Sequence, residues 1–223
     1  ASVDVGAAKA AVTGDTLAKL LFTSGSTSLP KAVRTTHKML VSNQTQIAQV
    51  WPFLARRPQQ IVDWLPWNHT FGGSHNFNLM LANGGTLYID DGEASEKGIK
   101  RTIENIRMVG QTVSFNVPFA YSMMAQAMKS DATFRSKFFE ELDLIFYAAA
   151  SMPQAIWDDL KEHAIAEAGK VPEMSAGWGM TETAPAALMV HGPMKAAGVI
   201  GVPLPGVEAL LLPIRDKTFE LRI

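Results

Sequence analysis

The sequence predicts an α/β fold in which a largely parallel sheet is covered by helices. Short apolar segments of strand length alternate with longer segments that place apolar residues at helical spacing, which is typical of repeated strand–helix–strand units. The chain has 223 residues, of which 47% are hydrophobic and 18% are charged, so it can bury a large core. We therefore expect a folded globular protein rather than a disordered one.

Composition argues against several classes of function. The formal net charge of −1 gives no reason to expect a nucleic-acid or anionic-membrane partner, since such partners need concentrated positive charge. The absence of cysteine excludes disulfides, thiolate metal sites and a cysteine nucleophile. No apolar run reaches about 18 residues and no signal-peptide pattern is present, so the sequence predicts a soluble, cytoplasmic protein.

The first predicted strand is a buried one formed by the apolar run Leu17, Leu20, Leu21 and Phe22, and it leads into a segment dense in hydroxyl groups. Gly25 permits close backbone approach, the N–H groups of a tight turn form an anion-binding nest, and Lys31 adds a positive charge. These features favour a bound polyphosphate, with side-chain hydrogen bonds available from Thr23, Ser24, Ser26 and Thr27. The alternative is a Ser/Thr-rich surface turn. A Walker A loop does not fit, because Pro30 stands where that pattern needs its second glycine.

The alternation of strands and helices continues along the chain. After a short strand at residues 32–35, Thr36 is expected to cap a helix that runs to about residue 50. Further strands are predicted at residues 61–65, 86–89, 112–115, 142–147, 171–175 and 219–223. A helix is predicted after the glycine-rich turn at residues 66–73 and runs to residue 81. Further helices are predicted at residues 95–109, after Pro118 and at 153–168. The last helix is expected to place Ile156, Leu160 and Ile165 on its apolar side.

His69 follows a predicted strand, at the kind of position where α/β proteins place ligands. A single histidine at such a position is also commonly a packed or surface residue. His69 and His75 could together suggest metal binding, but the chain has no cysteine and no third ligand is close in sequence.

Two later segments also carry candidate chemistry. The small residues at 148–153 follow a strand and could let a flat ring approach the backbone, although small residues at a strand–helix turn are also ordinary packing. Gly177 and Gly179 predict a sharp turn, after which Thr181 offers a hydroxyl and Glu182 offers a hard oxygen ligand suited to Mg²⁺. The alternative is a turn without function.

These segments together resemble motifs of the adenylate-forming superfamily, which includes acyl-CoA synthetases, luciferases and the adenylation domains of peptide synthetases. Residues 23–31, T-S-G-S-T-S-L-P-K, resemble its phosphate-binding loop, with Ser28 in place of a glycine. Residues 178–182, W-G-M-T-E, resemble its Y-G-x-T-E motif, with Trp178 in place of tyrosine. Residues 148–153 match the position of the segment that borders adenine.

The resemblance implies a domain organisation. Residues 15–223 would be an incomplete fragment of the large N-terminal AMP-binding domain of such an enzyme, truncated at both ends and without the mobile C-terminal domain. Residues 1–14 would be a linker or a chain boundary. We expect such a fragment to be inactive by itself, because a ribose-binding aspartate and a catalytic lysine would lie downstream. We also expect it to tend towards self-association, because sheet edges normally covered by the missing upstream segment would be exposed.

The resemblance also implies the roles of individual residues. Thr181, Glu182 and Lys31 would be catalytic, and Glu182 would hold Mg²⁺. His69, Phe71 and Gly179 would border the carboxylic acid substrate. The nucleotide-binding residues would be Thr23, Ser24, Gly25, Ser26, Thr27, Ala149, Ala150, Ser151, Gly177, Trp178, Gly179, Met180 and Thr181.

Within the superfamily, residues 50–54, 62–73 and 84–91 resemble bacterial feruloyl-CoA synthases. This resemblance implies ATP-dependent activation of a ferulate-like hydroxycinnamate to acyl-AMP, followed by transfer to coenzyme A. The alternatives are another acyl- or aryl-CoA ligase of the superfamily and a non-catalytic nucleotide-binding module. A hydrolase that uses Ser74 is a weaker alternative, because the nucleophile pattern G-x-S-x-G is absent.

Overall fold

The structure is a computed structural model that describes residues 3–23 and 29–223. The helices are Val5–Ala10 (α1), His37–Val50 (α2), Phe77–Ala82 (α3), Glu96–Val109 (α4), Pro118–Met128 (α5), Ala132–Phe139 (α6) and Gln154–Ala168 (α7). Short 3₁₀ helices lie at Pro52–Ala55 and Thr181–Thr183, and a π-helical turn lies at Phe71–Asn76. The strands are Leu17–Thr23 (β1), Lys31–Thr36 (β2), Gln60–Asp63 (β3), Thr86–Ile89 (β4), Val113–Asn116 (β5), Leu144–Tyr147 (β6), Glu173–Gly179 (β7), Ala186–Met189 (β8), Val202–Pro203 (β9), Leu210–Arg215 (β10) and Thr218–Arg222 (β11).

Helix starts follow their capping residues. The Thr36 hydroxyl accepts a hydrogen bond from the Met39 N–H at the start of α2, as predicted, and Ser95 caps α4 in the same way.

α7 buries Trp157, whereas Ile165, which was expected on its apolar side, is 55% exposed. The short helix α1 lies inside the segment predicted to be a linker, and all of its residues are exposed.

The predicted α/β class is confirmed, with sheets that mix both strand directions. The five-stranded sheet has the order β5-β6-β7-β8-β9, in which β5, β6 and β7 are parallel and β8 and β9 join antiparallel. β3 and β4 form a parallel pair, whereas β1–β2 and β10–β11 are antiparallel hairpins. The lengths of the connections explain the antiparallel pairs. Two parallel neighbouring strands need a long crossover connection, and the connections after β1, β7 and β10 are too short to form one.

Helices cover both faces of the parallel strands. Alternate residues of β6 enter two different buried clusters: Ile145 and Tyr147 pack with α4, α5, α6 and α7, while Leu144 and Phe146 pack with Ile47 of α2 and the segments that follow it. This alternation is the period of two that a strand imposes. β6 therefore forms the centre of the core, and both of its faces are shielded from water.

Several apolar side chains of the two hairpins remain exposed. Phe22 of β1 is 66% exposed, and Leu211 of β10 is 58% exposed. Exposed apolar surface favours association between protein molecules. The expected self-association of this chain stays a prediction. In the part of the chain that the structure describes, no helix has both the length and the apolar character needed to cross a lipid bilayer.

Candidate active site

A cavity of about 350 Å³ opens where β6 and β7 end. Because these strands are parallel, their carboxyl ends meet at one edge of the sheet, which is where α/β proteins bind ligands. The lining comes from residues 69–71, His75, residues 146–151, 176–179, 185–186 and 198–200. The cavity thus brings together three groups predicted from the sequence: the His69 segment, the small residues after β6 and the glycines of β7.

The backbone turns sharply directly after β6. Ala149 has a φ of 72°, a left-handed conformation that costs a non-glycine residue roughly 1–2 kcal/mol. Ala149, Ala150 and Ser151 line the cavity from this turn, and their role beside a flat ring stays a prediction. Strained backbone of this kind persists only where the surrounding structure holds it in place, and it is concentrated at binding sites.

The turn predicted at Gly177 and Gly179 is wrong, because both residues lie inside β7. The turn follows at Met180, where the chain leaves the strand. Close packing explains the glycines: a Cβ on Gly179 would lie 1.8 Å from the Pro185 carbonyl oxygen, and a Cβ on Gly177 would lie 3.0 Å from the Leu188 oxygen. Gly177, Trp178 and Gly179 therefore form a cavity wall along β7, the β7 wall, with β8 paired closely beside it.

The 3₁₀ helix Thr181–Thr183 begins directly after this wall. The Met180 N–H donates to the Thr183 hydroxyl at 2.9 Å, which fixes the start of the turn. Thr181 is half-buried and Glu182 is exposed, and neither residue lines the cavity. The helix lies outside the cavity, at the point where the chain leaves β7.

This 3₁₀ helix contacts β2, the strand that starts at Lys31. Lys31 is exposed and pairs in register with Thr23 at the end of β1. The structure therefore brings the strand that follows the predicted phosphate loop into contact with the Thr181–Thr183 turn. The loop residues Ser24, Gly25, Ser26 and Thr27 lie outside the described residues, so their nucleotide-binding role stays a prediction.

Glu182 is the residue to which the resemblance assigns Mg²⁺. Its carboxylate is exposed and makes no hydrogen bond or ion pair with the described residues. Magnesium keeps several waters and takes one or two carboxylates together with substrate phosphates, so a single free carboxylate fits this chemistry. Residues 3–23 and 29–223 contain no group of three His, Cys, Asp or Glu side chains that could hold a metal without such a substrate, and the pair His69 and His75 has no third ligand there.

His69 and Phe71 contribute a further part of the cavity lining. His69 is exposed, and its Nδ1 accepts a hydrogen bond from the Phe71 N–H at 3.1 Å. Phe71 is buried, with its ring 6.0 Å from that of Phe146. Both residues line the cavity, and their role beside the substrate stays a prediction.

His75 is a lining residue whose place in the wall sequence reasoning missed. It stacks on Phe146 with ring centroids 5.5 Å apart and an interplanar angle of 9°. Its Nδ1 lies 2.8 Å from Asn76 Oδ1, and the Asn76 amide donates to Asp63 Oδ2 at 3.1 Å. Since the Asn76 oxygen faces the ring, Nδ1 carries the proton and Nε2 is an acceptor. The signal was its position four residues after Phe71, on the same side of a helical turn.

Burial sets the charge of this hydrogen-bonded chain. It lowers the pKa of His75 to about 4, so the imidazole is neutral at pH 7. It raises the pKa of Asp63 to about 6, against the opposing effect of the hydrogen bonds from Asn76 and Leu65. The cavity wall formed by His75 therefore carries no positive charge near neutral pH.

The folded state should lose stability on acidification because of His75. The pKa of His75 lies below its ordinary value of 6.5, so its contribution is present above pH 6.5 and is lost as the pH falls towards 4. Asp63 acts in the opposite direction, since its raised pKa favours the folded state at low pH and this contribution is lost as the pH rises through 6. As the pH falls from 6.5 towards 4, the free energy of unfolding should fall less steeply in the His75→Phe variant than in the unaltered protein. The difference in slope should be about 1.4 kcal/mol per pH unit.

Urea denaturation of both proteins at pH 7, 6, 5 and 4 measures this difference. Asp63 is present in both proteins, so its contribution largely cancels in the comparison. Parallel dependence of the two free energies on pH would contradict the burial of a neutral imidazole.

Lys19 is a second residue whose position was not predicted. Its ammonium group donates to the Gly73 carbonyl at 2.6 Å, and burial lowers its pKa. The bond ties β1, which leads to the predicted phosphate loop, to the π-helical turn that carries Phe71 and His75. An alternating strand pattern suggests a solvent-exposed lysine, so this contact was not visible in the sequence.

Comparison with known proteins identifies the family. The AMP-binding enzyme family matches residues 2–219. The chain is 26% identical over 201 residues to a mitochondrial malonate–CoA ligase, ACSF3, of Xenopus laevis, covering 86% of this chain and 33% of the relative. It is 28% identical over 185 residues to a probable 4-coumarate–CoA ligase 2 of Dictyostelium discoideum, covering 82% and 31%.

A solved structure supports the same conclusion. A malonyl-CoA ligase in a ternary product complex with methylmalonyl-CoA and AMP superimposes with a TM-score of 0.71 at 26% identity, covering 94% of this chain and 44% of that one. The chain spans about a third of the length of the curated relatives. With its sheet edge, its cavity and this match along nearly its whole length, the chain belongs to the AMP-binding enzyme family.

Proposed function

We propose that the whole protein activates a ferulate-like hydroxycinnamate with ATP and then transfers the acyl group to coenzyme A. The observation that carries this proposal is one cavity that the His69 segment, the Ala149 turn and the β7 wall line together. Such a cavity would hold the acyl group and the adenine side by side, as a reaction between a carboxylate and a nucleotide requires. The ligase relatives for malonate and coumarate support the reaction class.

The residues would act through position and charge. In the first half-reaction the substrate carboxylate attacks the α-phosphorus of ATP, which gives acyl-AMP and releases pyrophosphate. In the second, the thiol of coenzyme A displaces AMP. Thr181 would donate a hydrogen bond to the α-phosphate, Lys31 would offset phosphate charge, and Glu182 would hold Mg²⁺, which supplies further charge neutralisation when bound.

The choice of a hydroxycinnamate rests on residues 50–54, 62–73 and 84–91, which resemble bacterial feruloyl-CoA synthases. The probable 4-coumarate–CoA ligase among the relatives supports an aromatic acid as the substrate. The malonate–CoA ligase supports a small dicarboxylic acid instead. The site therefore has to be tested with acids of several classes.

Acid-dependent exchange of pyrophosphate into ATP tests the proposal. The whole protein should show exchange with ferulate and should form AMP and feruloyl-CoA when coenzyme A is added. Production of ADP would contradict it, since attack would then be at the γ-phosphate. Exchange with malonate or a fatty acid but not with ferulate would favour another ligase of the family, and nucleotide binding without exchange would favour a non-catalytic module.

Residues 1–223 alone provide a matched comparison. Because the chain spans about a third of its relatives, we expect it to bind nucleotide weakly and to form no feruloyl-CoA. Clear turnover by this chain, absent from its Lys31→Ala variant, would show that the essential chemistry lies within these residues.

A further inference from the structure

The β1–β2 hairpin forms a small sheet of its own. In the part of the chain that the structure describes, its two strands pair only with each other. A two-stranded hairpin without further strands is marginally stable by itself. The contacts that fix this hairpin to the rest of the protein therefore decide where its end lies, and that end carries Thr23 and Lys31, which are predicted to bind the phosphates of ATP.

One face of the hairpin is turned towards the protein. The register places the residues of this face in three pairs: Lys19 with Thr35, Leu21 with Val33, and Thr23 with Lys31. Leu21 and Thr35 are buried, whereas Phe22 on the opposite face is exposed. Since side chains alternate along a strand, Lys19 lies on the same face as Thr23, and four positions along an extended strand separate the two by about 13 Å.

Lys19 joins this hairpin to a distant part of the chain. Its ammonium group donates to the Gly73 carbonyl at 2.6 Å, and no other side chain of the two strands makes a hydrogen bond to a distant segment among the described residues. The acceptor is firmly held, because a Cβ on Gly73 would lie 2.0 Å from the Trp67 carbonyl oxygen. The π-helical turn that contains Gly73 thus packs tightly against the backbone before it and provides a fixed anchor for the hairpin.

The charge of Lys19 strengthens this bond. Hydrogen bonds from an ionised donor are roughly twice as strong as those between neutral groups. Lys19 is half-buried, and burial lowers its pKa, so water supports its charge less than it supports that of an exposed lysine. It forms no ion pair with the described residues. The Gly73 carbonyl is therefore the partner that the structure gives to this ammonium group.

The anchor is also part of the cavity. Phe71 and His75, which lie two positions before and two positions after Gly73, both line it. π-helical turns are rare and occur mostly at functional sites. Lys19 itself does not line the cavity. Its bond therefore connects the hairpin that carries the predicted phosphate site to the turn that lines the cavity.

We propose that Lys19 is a positioning residue, whose bond to Gly73 holds the β1–β2 hairpin where phosphates bound at its end are aligned with a carboxylate in the cavity. The proposal rests on the proposed function, because it assumes that ATP and the acid meet here. It goes further by naming a residue outside the cavity lining that sets the placement of one reactant relative to the other. A displacement of about 1 Å in such an alignment can slow a reaction by about 10²-fold.

Pyrophosphate exchange by the whole protein tests this role, with whichever of ferulate, malonate and a fatty acid supports the fastest exchange. Lys19→Met keeps an unbranched side chain but removes the donor. Its maximal rate should fall by about 10²-fold, because alignment is lost. The half-saturating concentrations of ATP and of the acid should stay within about 3-fold, because the contacts of each substrate remain. Lys19→Arg keeps a charged donor and should be at least about 10-fold faster than Lys19→Met.

Arg34→Met is the matched control. Arg34 lies on the exposed face of the same hairpin, opposite Leu20, and its side chain makes no ion pair with the described residues. The substitution removes one positive charge from the hairpin, as Lys19→Met does. It should leave the maximal rate and both half-saturating concentrations unchanged.

Hydrogen–deuterium exchange, measured by mass spectrometry, gives a second readout that needs no turnover. In Lys19→Met, the backbone N–H groups of β1 and β2 should exchange at least about 10-fold faster than in the unaltered protein, because the hairpin has lost its bond to the turn. In Arg34→Met, their exchange should not change.

The outcomes separate this role from a merely structural one. Faster hydrogen exchange in Lys19→Met with an unchanged rate of pyrophosphate exchange would overturn the proposal, as would a loss confined to substrate affinity. Equal rates in Lys19→Met and Lys19→Arg, or unchanged hydrogen exchange in the hairpin, would also overturn it. Faster hydrogen exchange in Lys19→Met alone, together with no pyrophosphate exchange by the unaltered protein with any of the three acids, would support the placement of the hairpin by Lys19 and overturn the proposed function alone.

Discussion

Replacing Gly179 with alanine is expected to destabilise the protein by about 3 kcal/mol or more. The new Cβ would lie 1.8 Å from the Pro185 carbonyl oxygen, a backbone atom that cannot rotate away as a side chain can. The neighbouring backbone is also fixed, because buried Asn43 donates to the Ala186 oxygen at 2.8 Å and accepts from the Ala186 N–H at 3.3 Å. Denaturant unfolding, followed by circular dichroism, measures the loss.

Gly192→Ala is the control for this substitution. A Cβ at Gly192 would meet no described atom within 4 Å, and its φ lies outside the left-handed region. Its free energy of unfolding should stay within about 0.5 kcal/mol of the unaltered protein. Equal effects at the two glycines would show that the close approach of β8 to β7 does not explain Gly179.

Glu182→Gln is expected to reduce pyrophosphate exchange by the whole protein by about 10²-fold at limiting Mg²⁺. If Glu182 holds the metal, the amide removes the negative charge that binds it and leaves the shape of the side chain almost unchanged. The fold should not respond, because Glu182 is exposed and has no side-chain partner among the described residues. Exchange rates across a Mg²⁺ titration, together with thermal unfolding, separate the two effects.

Glu208→Gln makes the same chemical change at another exposed position, far along the chain from the turn. It should alter neither exchange nor its dependence on Mg²⁺. Unchanged exchange in Glu182→Gln at limiting Mg²⁺ would count against the assigned role, and an equal loss in Glu208→Gln would point to a general effect of net charge.

Local signals in the sequence were sufficient to predict most elements. Thr36 caps α2 as predicted, and Ser95 caps a helix that was expected to start there, because a capping hydroxyl acts within three residues of its own position. The strands from β3 to β7 were expected at nearly the observed places, since buried parallel strands appear as short apolar runs. Positions that depend on one segment at a time were therefore predictable.

Features that depend on two distant segments were not. Gly179 suggests a turn when only its neighbours are considered, and its observed role depends on β8 packing against it. Lys19 contacts Gly73 across 54 positions, and Asp63 reaches His75 only through Asn76. The sequence predicted many of the residues that line the cavity. It could not predict which polar atoms in the cavity wall lack a hydrogen-bond partner, because this depends on how distant segments pack.

The hydrogen-bonded chain of Asp63, Asn76 and His75 has a consequence for protein engineering. Selection for a new acid that varies His75 alone would leave the Asn76 oxygen buried beside an unsuitable neighbour, so many single substitutions would be discarded for poor folding before their selectivity was tested. A library that varies the three positions together samples matched hydrogen-bond partners, including fully apolar sets. In the evolution of this family, a change of acid at this wall would correspondingly be inherited as a set of linked substitutions.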